Sequence, residues 1–148
     1  MVTRILAVDF GMKRIGLALS DERKLIASPL NTLLASGKLE ATIEELLKLM
    51  ENHQKMHRYE LEAIVVGYPL KMSGKAGLIT DEVSCFIEML KKRCSFPIIA
   101  WDERLTSLLA DRAMREGQLN RRKRSQKIDQ ISAVLILQNY LDSRNLDY

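Results

Sequence analysis

Hydrophobic and polar positions in the first part of the chain predict two paired strands. Residues 5–8 are apolar without interruption and end in a carboxylate, Asp9, which is typical of a strand covered on both faces within a parallel or mixed sheet. Apolar residues then alternate with small or polar ones over residues 15–20, so residues 4–9 and 15–20 are expected to form a hairpin. The short connection contains Gly11, which can take a positive φ.

A third strand and a first helix follow the hairpin. The strand is predicted at residues 25–34, where Pro29 favours an edge position because it has no backbone N–H to donate. The helix is predicted to open at Ser36 and Gly37, since apolar residues recur at helical spacing over 39–50. It is expected to fray in the polar residues that follow, 52–58.

The second half of the chain alternates strands and helices, with no internal repeat and no linker. The predicted elements are strand 63–67, helix 79–93, strand 97–101, helix 105–116 and helix 127–141. A loop at 70–77 with two glycines and two lysines lacks the spacing of a phosphate-binding loop and is expected to be a flap over the strand ends. The predicted fold class is α/β: a mixed five-stranded sheet, its first three strands antiparallel and then a strand–helix–strand unit, flanked by about four helices. Residues 1–148 are expected to form one domain whose last few residues are a tail.

Composition narrows the class of protein further. The chain has 148 residues, 47% of them hydrophobic and 28% charged, which fits one globular domain and argues against disorder. No apolar run approaches the roughly 18 residues that span a bilayer, and no charged leader precedes an apolar core. Cys85 and Cys94 lie nine positions apart in one predicted helix, about 13 Å along its axis, too far to pair. Reduced thiols, a cytoplasmic location and no membrane association are therefore expected.

Charge and histidine spacing leave two questions open. The net charge is +4, and residues 117–128 carry five basic side chains and no acidic one. This basic segment is interpreted either as a solvated loop or as a contact for a phosphate backbone. His53 and His57 have the i, i+4 spacing of metal ligands, but no acidic or cysteine residue is placed to complete a site with them, so surface histidines are expected.

Acidic residues fall at three predicted strand ends or helix starts. Asp9 closes the first strand, Asp102 and Glu103 close the last, and Asp129 lies near the start of the final helix. Because the carboxyl ends of parallel strands share one rim of a sheet, where ligands bind in open α/β sheets, we expect these acids to meet. Local roles are the alternative: a turn at Asp9, a helix cap at Asp102 and a favourable charge at the helix start for Asp129.

Converging carboxylates indicate a site for divalent metal ions. Two carboxylates about 4 Å apart repel by about 4 kcal/mol at an effective dielectric constant of about 20, so three together need a cation. Oxygen ligands favour Mg²⁺ or Mn²⁺ over zinc, and two such ions can activate water and stabilise the leaving oxygen in phosphodiester cleavage. The basic segment, with Lys13, Arg14 and Arg104 near the same rim, suits a polyanionic substrate. Acids for a metal and bases for a phosphate backbone point to a nuclease.

Four motifs in order make the chain recognisable. They are DFGMKRIG at 9–16, VGYPLKMSG at 66–74, DERLTS at 102–107 and DQISAVLILQ at 129–138. With these motifs the chain resembles, from Ile5 to Leu141, the YqgF family of Holliday-junction resolvase-like proteins, also described as pre-16S rRNA nucleases. The departures are small: Tyr68 stands where the family usually has Leu, and Ser132 where a second Ala is common.

The resemblance implies an RNase H-like fold and metal-dependent nuclease chemistry. Asp9, Glu103 and Asp129 would be the catalytic and metal-binding set, holding Mg²⁺ or Mn²⁺, two ions when substrate is bound, with Glu103 a ligand or an aid in orienting the attacking water. The expected partner is nucleic acid, either precursor rRNA, with ribosome-assembly intermediates, or branched DNA. The expected oligomeric state is a monomer or a weak homodimer. The basic residues expected to bind nucleic acid are Lys13, Arg14, Lys71, Arg104, Arg121, Arg122, Lys123 and Arg124.

Three classes of function therefore compete. The favoured hypothesis is a metal-dependent endonuclease that processes the 5′ end of precursor 16S rRNA, with resolution of Holliday junctions as the same chemistry on branched DNA. A second hypothesis is an ATP-binding relative of actin and the sugar kinases, whose phosphate motif the Asp-Phe-Gly sequence resembles, although those proteins close two such domains over the nucleotide. A third is a non-catalytic nucleic-acid-binding or ribosome-assembly module on the same scaffold.

Overall fold

The computed structural model describes residues 2–11, 13–35, 37–68, 78–102 and 121–145. These residues form six strands and three helices. In chain order the elements are β1 Thr3–Phe10, β2 Arg14–Ser20, β3 Ala27–Pro29, β4 Leu33–Leu34, α1 Leu39–His57, β5 Glu60–Tyr68, α2 Leu78–Arg93, β6 Ile98–Asp102 and α3 Arg121–Asn145. Within these ranges, no helix is both long and apolar enough to cross a bilayer.

The strands form one mixed sheet in the order β3-β2-β1-β5-β6, and β4 also pairs with β2. The predicted hairpin is confirmed, since β1 and β2 pair antiparallel with Leu6 opposite Leu19. β1 pairs parallel with β5, and β5 with β6, through the strand–helix–strand unit that α2 completes. The carboxyl ends of β1, β5 and β6 therefore lie at one rim of the sheet.

The predicted third strand is present as two short strands, so the sheet has six strands rather than five. β3 pairs with the end of β2, placing Pro29 opposite Ala18, whereas β4 pairs with its beginning, placing Leu34 opposite Arg14. The two registers differ by one residue, so one continuous strand cannot satisfy both. Pro29 lies at the edge of the sheet, as predicted, where its missing N–H breaks no interior pairing.

Two helix boundaries were predicted wrongly. α1 continues through the polar residues 52–57 and stops at Arg58, which adopts the left-handed conformation with φ 55° and ψ 62°. α3 begins at Arg121 rather than near Lys127, so the basic segment is not a loop from 121 onward. In both places the sequence lacks Gly and Pro, and Arg, Lys and Gln are good helix formers. The predicted helix at 105–116 and loop at 70–77 lie outside the described residues.

Two hydrophobic cores cover the two faces of the sheet. Because successive strand side chains point to opposite faces, Leu6 and Val8 of β1 pack towards α1 and α2, while Ile5 and Ala7 pack towards α3. An aromatic pair reinforces the core on the side of α1 and α2, where the ring centroids of Phe10 and Phe86 are 4.8 Å apart. The helical residues of the two cores include Ile43, Leu46, Met50, Val83, Phe86 and Leu90 on one face, and Ala133, Ile136, Leu137 and Leu141 on the other.

Candidate functional site

Asp9 lies in the sheet between two glycines. It is the penultimate residue of β1, half-buried, and it pairs with Gly16 of β2 on one side and Gly67 of β5 on the other. Side chains at paired positions of neighbouring strands point to the same face, with Cβ atoms normally about 4.5–5.5 Å apart. Because both neighbours lack a side chain, the face beside the Asp9 carboxylate has lateral room for a ligand.

The face onto which Asp9 opens is the one that α3 covers. Asp9 has the strand parity of Ile5 and Ala7, which pack in the α3-side core. Gly67 has the parity of Ala63 and Val65 in β5, which belong to that same core. The two glycines and the carboxylate thus share one surface at the carboxyl rim of the parallel strands.

The direction of α3 is fixed by polar contacts at its carboxyl end. Arg144 Nη1 lies 3.1 Å from Glu62 Oε2, near the start of β5. Thr3 Oγ1, at the start of β1, donates to Glu62 Oε1 at 3.1 Å. The carboxyl end of α3 therefore lies at the amino-terminal rim of the parallel strands, and the helix runs antiparallel to β1.

This direction brings position 129 level with Asp9. From Arg144 back to Asp129 the helix rises about 22 Å at 1.5 Å per residue, and from Thr3 to Asp9 the strand advances about 20 Å at 3.3 Å per residue. Position 129 also precedes the buried Ala133 by four residues and Leu137 by eight, so it lies on the same helix face as these two residues. The small residues Ser132 and Ala133, 1% and 0% exposed, let this part of the helix approach the strands closely.

The turn after Asp9 depends on a glycine for a steric reason. A Cβ added to Gly11 would lie 2.5 Å from the Arg14 carbonyl oxygen, so any side chain there would displace the turn. The φ of Gly11 lies outside the left-handed range, so the requirement for glycine is one of space. The turn places Lys13, which is exposed, and Arg14, which is half-buried, at the same rim as Asp9.

β6 brings a further acidic position to this rim. Its pairing with β5 sets Trp101 opposite Gly67, and Asp102 opposite Tyr68 one residue further on. Trp101 packs on the α3 side of the sheet, where its ring meets that of Tyr140 edge-on at 5.3 Å. Ile99 packs on the same side, so the odd-numbered positions of β6 face α3.

The structure therefore brings some of the predicted site positions together and leaves others outside the described residues. Asp9, Lys13, Arg14 and the end of β6 share the carboxyl rim, and the backbone of α3 carries Asp129 to the same level. Arg121, Arg122, Lys123 and Arg124 form the first turn of α3, upstream of position 129. Lys71, Glu103 and Arg104 lie outside the described residues. Within the described part, no three His, Cys, Asp or Glu side chains are grouped closely enough to hold a metal ion.

The two histidines were expected at the surface. His57 is exposed, whereas His53 is half-buried. The ring centroids of His53 and His57 are 4.2 Å apart. Both residues lie on α1, at the other end of the sheet from Asp9. Gly16 and Gly67 are neighbours of Asp9 that were not predicted. Both glycines stand inside the quoted motifs, but only the strand register reveals that they flank the same carboxylate.

A mixed sheet with an antiparallel hairpin followed by parallel strands, an acid at the end of the first strand and helices on both faces defines an RNase H-like domain. The family model for RuvX, described as a Holliday junction resolvase, matches residues 3–143, and the chain belongs to this family. The predicted family and fold are thereby confirmed.

Individual proteins agree with this assignment. A relative from Protochlamydia amoebophila named "Putative pre-16S rRNA nuclease" is 51% identical over 96% of this chain and 95% of its own length. A relative of the same name from Koribacter versatilis is 41% identical over 97% of this chain and 90% of its own length. Among solved structures, RuvC from T. thermophilus in complex with a Holliday junction substrate superposes with a TM-score of 0.54 over 97% of this chain and 96% of its own, at 13% identity, which shows a shared fold.

Proposed function

We propose that this chain is a metal-dependent endonuclease that hydrolyses phosphodiester bonds in structured nucleic acid, with the 5′ region of precursor 16S rRNA as its substrate. The observation that carries the proposal is the position of Asp9 between Gly16 and Gly67, at the carboxyl rim and level with position 129 of α3. Membership of the RuvX family and the shared name of the two relatives support it.

Asp9, Glu103 and Asp129 are the proposed catalytic and metal-binding residues. Carboxylate oxygens are the ligands that Mg²⁺ and Mn²⁺ prefer, and the glycines beside Asp9 leave space for such an ion. Glu103, which directly follows the end of β6 at Asp102, is proposed as the third acid from the DERLTS motif rather than from its placement. Bound divalent ions, two with substrate present, supply activation of water and neutralisation of charge on the scissile phosphate.

Basic residues of the chain hold the substrate backbone across the acids. Lys13 and Arg14 stand beside Asp9 at the rim, and the first turn of α3 brings the run 121–124 to the same end of the sheet. Cations placed there attract the phosphate backbone and hold it in register, but backbone contacts carry no sequence information. We therefore propose that these residues, with Lys71 and Arg104, position any suitably shaped strand across the acids.

The choice of RNA follows from the nearer relatives. The two relatives named as pre-16S rRNA nucleases are 51% and 41% identical to this chain, whereas the RuvC structure with its Holliday junction shares 13%. Branched DNA is the second candidate substrate, because the family description itself names a Holliday junction resolvase. We further propose that the protein acts in the cytoplasm on ribosome-assembly intermediates, as a monomer or weak homodimer.

The decisive experiment compares Asp9→Asn with wild type on precursor 16S rRNA and on a four-way DNA junction, with Mg²⁺, with Mn²⁺ and with EDTA. Charge stabilisation at such a site is worth several kcal/mol, so cleavage by the variant should fall at least about a hundredfold while the protein stays folded. Glu22→Gln, which removes an exposed carboxylate from the turn after β2, is the matched control and should cleave normally.

Three results would count against this assignment. Equal cleavage by Asp9→Asn and wild type would remove Asp9 from the chemistry. Cleavage of the junction but not of the RNA would transfer the activity to branched DNA. Salt-dependent RNA binding that survives loss of all three acids, with no cleavage under any condition, would identify a binding module instead.

A further inference from the structure

A polar cavity lies at the opposite end of the sheet from Asp9. It has a volume of about 290 Å³ and is bounded by the start of β1, the end of β2, β3 and the last turns of α1. Arg4, His53 and His57 line it, together with Ser20, Asp21 and Ser28. Arg4 precedes Asp9 by five strand residues, about 17 Å, and the cavity is on the α1 side of the sheet rather than the α3 side.

Tyr59 holds two of the basic side chains in place. Its ring is buried, 3% exposed, and the Arg4 guanidinium carbon lies 5.3 Å from the ring centroid. Its hydroxyl is 2.8 Å from His53 Nδ1. The backbone around Tyr59 is fixed by Gln54, whose carbonyl accepts the Tyr59 N–H at 3.2 Å and whose side chain accepts the Leu61 N–H at 3.0 Å. Arg4 and His53 are thus attached to a rigid support before any ligand arrives.

The hydroxyl of Tyr59 is bonded to Nδ1 of His53, which leaves Nε2 as the nitrogen for a ligand. Burial raises the pKa of Tyr59 to about 12, against the opposing effect of Arg4, so the hydroxyl keeps its proton at neutral pH. When His53 is charged, its Nδ1–H donates to this hydroxyl and Nε2 also carries a proton. Charged His53 therefore offers an Nε2–H donor to an anion.

The cavity brings three basic side chains together beside one carboxylate. The ring of His57 is 4.2 Å from that of His53, and Arg4 Nε is buried with no hydrogen-bond partner among the described residues. Asp21 is the acidic residue in the lining, but its Oδ1 accepts the N–H groups of Leu25 and Ile26 at 2.8 and 2.9 Å within its own turn. Although partial burial opposes the charged form, those hydrogen bonds lower the pKa of Asp21. Asp21 therefore stays charged, and its Oδ1 is held by the turn.

We propose that the cavity around Arg4, His53 and His57 binds a phosphate group. Arg4 supplies a permanent charge, Nε2–H of His53 supplies an oriented donor, and His57 adds a second imidazole on the open side. A phosphate would compensate the charge of Arg4 and favour the protonated form of His53. The group can come from a free phosphate compound or from the backbone of a nucleic acid that extends past the sheet.

The titration of His53 adds an independent consequence. Burial, and then the charges of His57 and Arg4, lower the pKa of His53. A bound dianion favours the charged imidazole, so binding must raise the pKa of His53, and affinity must increase as the pH is lowered. Arg4, Asp21, His53 and His57 are the charged or titratable groups that line the cavity.

Imidazole NMR tests this proposal directly, because the chain has two histidines and both line the cavity. Inorganic phosphate is titrated into the full chain at pH 6.0 and low ionic strength, with sodium chloride matched for ionic strength as the reference. Saturable shifts of both imidazoles beyond those caused by chloride are expected. A parallel series with sulfate, whose charge is constant over pH 5.5–8, should show affinity rising towards low pH by at most about tenfold per unit for each histidine that must be protonated.

Matched variants separate a built site from general charge attraction. Arg4→Gln should weaken phosphate binding at least about tenfold, since hydrogen bonds to a charged group are worth about 1.5–3 kcal/mol. Arg23→Gln removes the same charge from an exposed turn residue that does not line the cavity, and should leave affinity unchanged. Because Arg4 lies in a core strand, His57→Gln at an exposed position is the second test, with His53 as the reporter.

The outcomes are distinct. Shifts that do not saturate, or that fall equally in Arg4→Gln and Arg23→Gln, would overturn the proposal. If inorganic phosphate binds and a short RNA hairpin at equal phosphate concentration does not move the imidazole signals, the source is a free phosphate compound. If the hairpin shifts them at lower concentration, the source is the nucleic-acid backbone. The result is independent of cleavage, so it stands or falls separately from the proposed nuclease activity.

Discussion

Asp9 and Gly67 occupy paired positions on neighbouring parallel strands, and Gly16 is the partner of Asp9 on its other side. Of these three paired positions, Asp9 is the one that carries a side chain, and a glycine lies on each side of it. A metal ion and a phosphate both need space beside a carboxylate, and in a sheet this space exists only where the flanking residues are small. The glycines are thus as much a part of the proposed site as the acid.

A first prediction concerns the space beside Asp9. Gly67→Val would place two methyl groups on the shared face and displace whatever binds there, so cleavage should fall about a hundredfold, as expected for a misplacement of about 1 Å. Initial rates on precursor 16S rRNA measure the effect. Ala63→Val, on the same face of β5 four residues earlier, controls for overpacking against α3 and should retain activity in the folded protein. Unchanged cleavage by Gly67→Val would show that the gap is not used.

A second prediction concerns the first turn of α3. Arg121→Gln with Arg122→Gln keeps good helix formers while removing two charges at the carboxyl rim. The slope of log K against log salt for RNA binding should become shallower by about 1.4–1.8, if each residue neutralises one phosphate.

The control for this prediction removes two charges from the other end of the sheet. Lys91 and Lys92 are in the last turn of α2, which returns the chain to the start of β6, away from Asp9. Replacing both with Gln should leave the salt slope unchanged. Equal slopes for wild type and the Arg121, Arg122 variant would mean that those arginines are simply solvated.

A third prediction follows from the lowered pKa of His53, caused first by burial and then by the charges of His57 and Arg4. Between the lowered pKa and the unfolded value of about 6.5, the unfolded chain binds a proton that the folded chain resists. The free energy of unfolding should therefore be constant above about pH 7 and decrease as the pH falls through this window. Urea unfolding from pH 8 to 5 measures it. His53→Gln should flatten this part of the curve, and parallel curves for variant and wild type would contradict the assignment.

A fourth prediction concerns Gln138, which ties α3 to the edge of the sheet. Its Oε1 accepts the Ala27 N–H at 2.9 Å and its Nε2 donates to the Leu25 carbonyl at 2.8 Å. Gln138→Ala leaves the backbone N–H of the buried Ala27 without this acceptor, so the protein should lose about 1–3 kcal/mol of unfolding free energy. Chemical denaturation measures the loss. Asn139→Ala at the next, exposed position is the control, and it should change stability by less than about 0.5 kcal/mol.

Sequence patterns predicted the secondary structure correctly where buried and exposed positions alternate regularly along a strand or helix. The hairpin and the parallel strand–helix–strand unit follow from patterns of period 2 or 3.6, the edge position of Pro29 follows from its missing N–H, and all are confirmed. Boundaries were less reliable, as α1 and the basic start of α3 show. Charged residues such as Arg121 favour a helix almost as much as a loop, so an apolar stripe marks where a helix packs and not where it begins.

By itself the sequence determined that an apolar strand ends in Asp9 and that an α/β sheet brings other acidic positions to the same rim. Only the tertiary structure decided which residues flank that carboxylate, that α3 runs back antiparallel to β1, and that the third strand is divided. It also placed Arg4 of the first strand against His53 and His57 of α1, residues separated by about fifty positions in the chain. Local patterns follow from the geometry of neighbouring residues, whereas strand register and helix direction depend on the packing of distant segments.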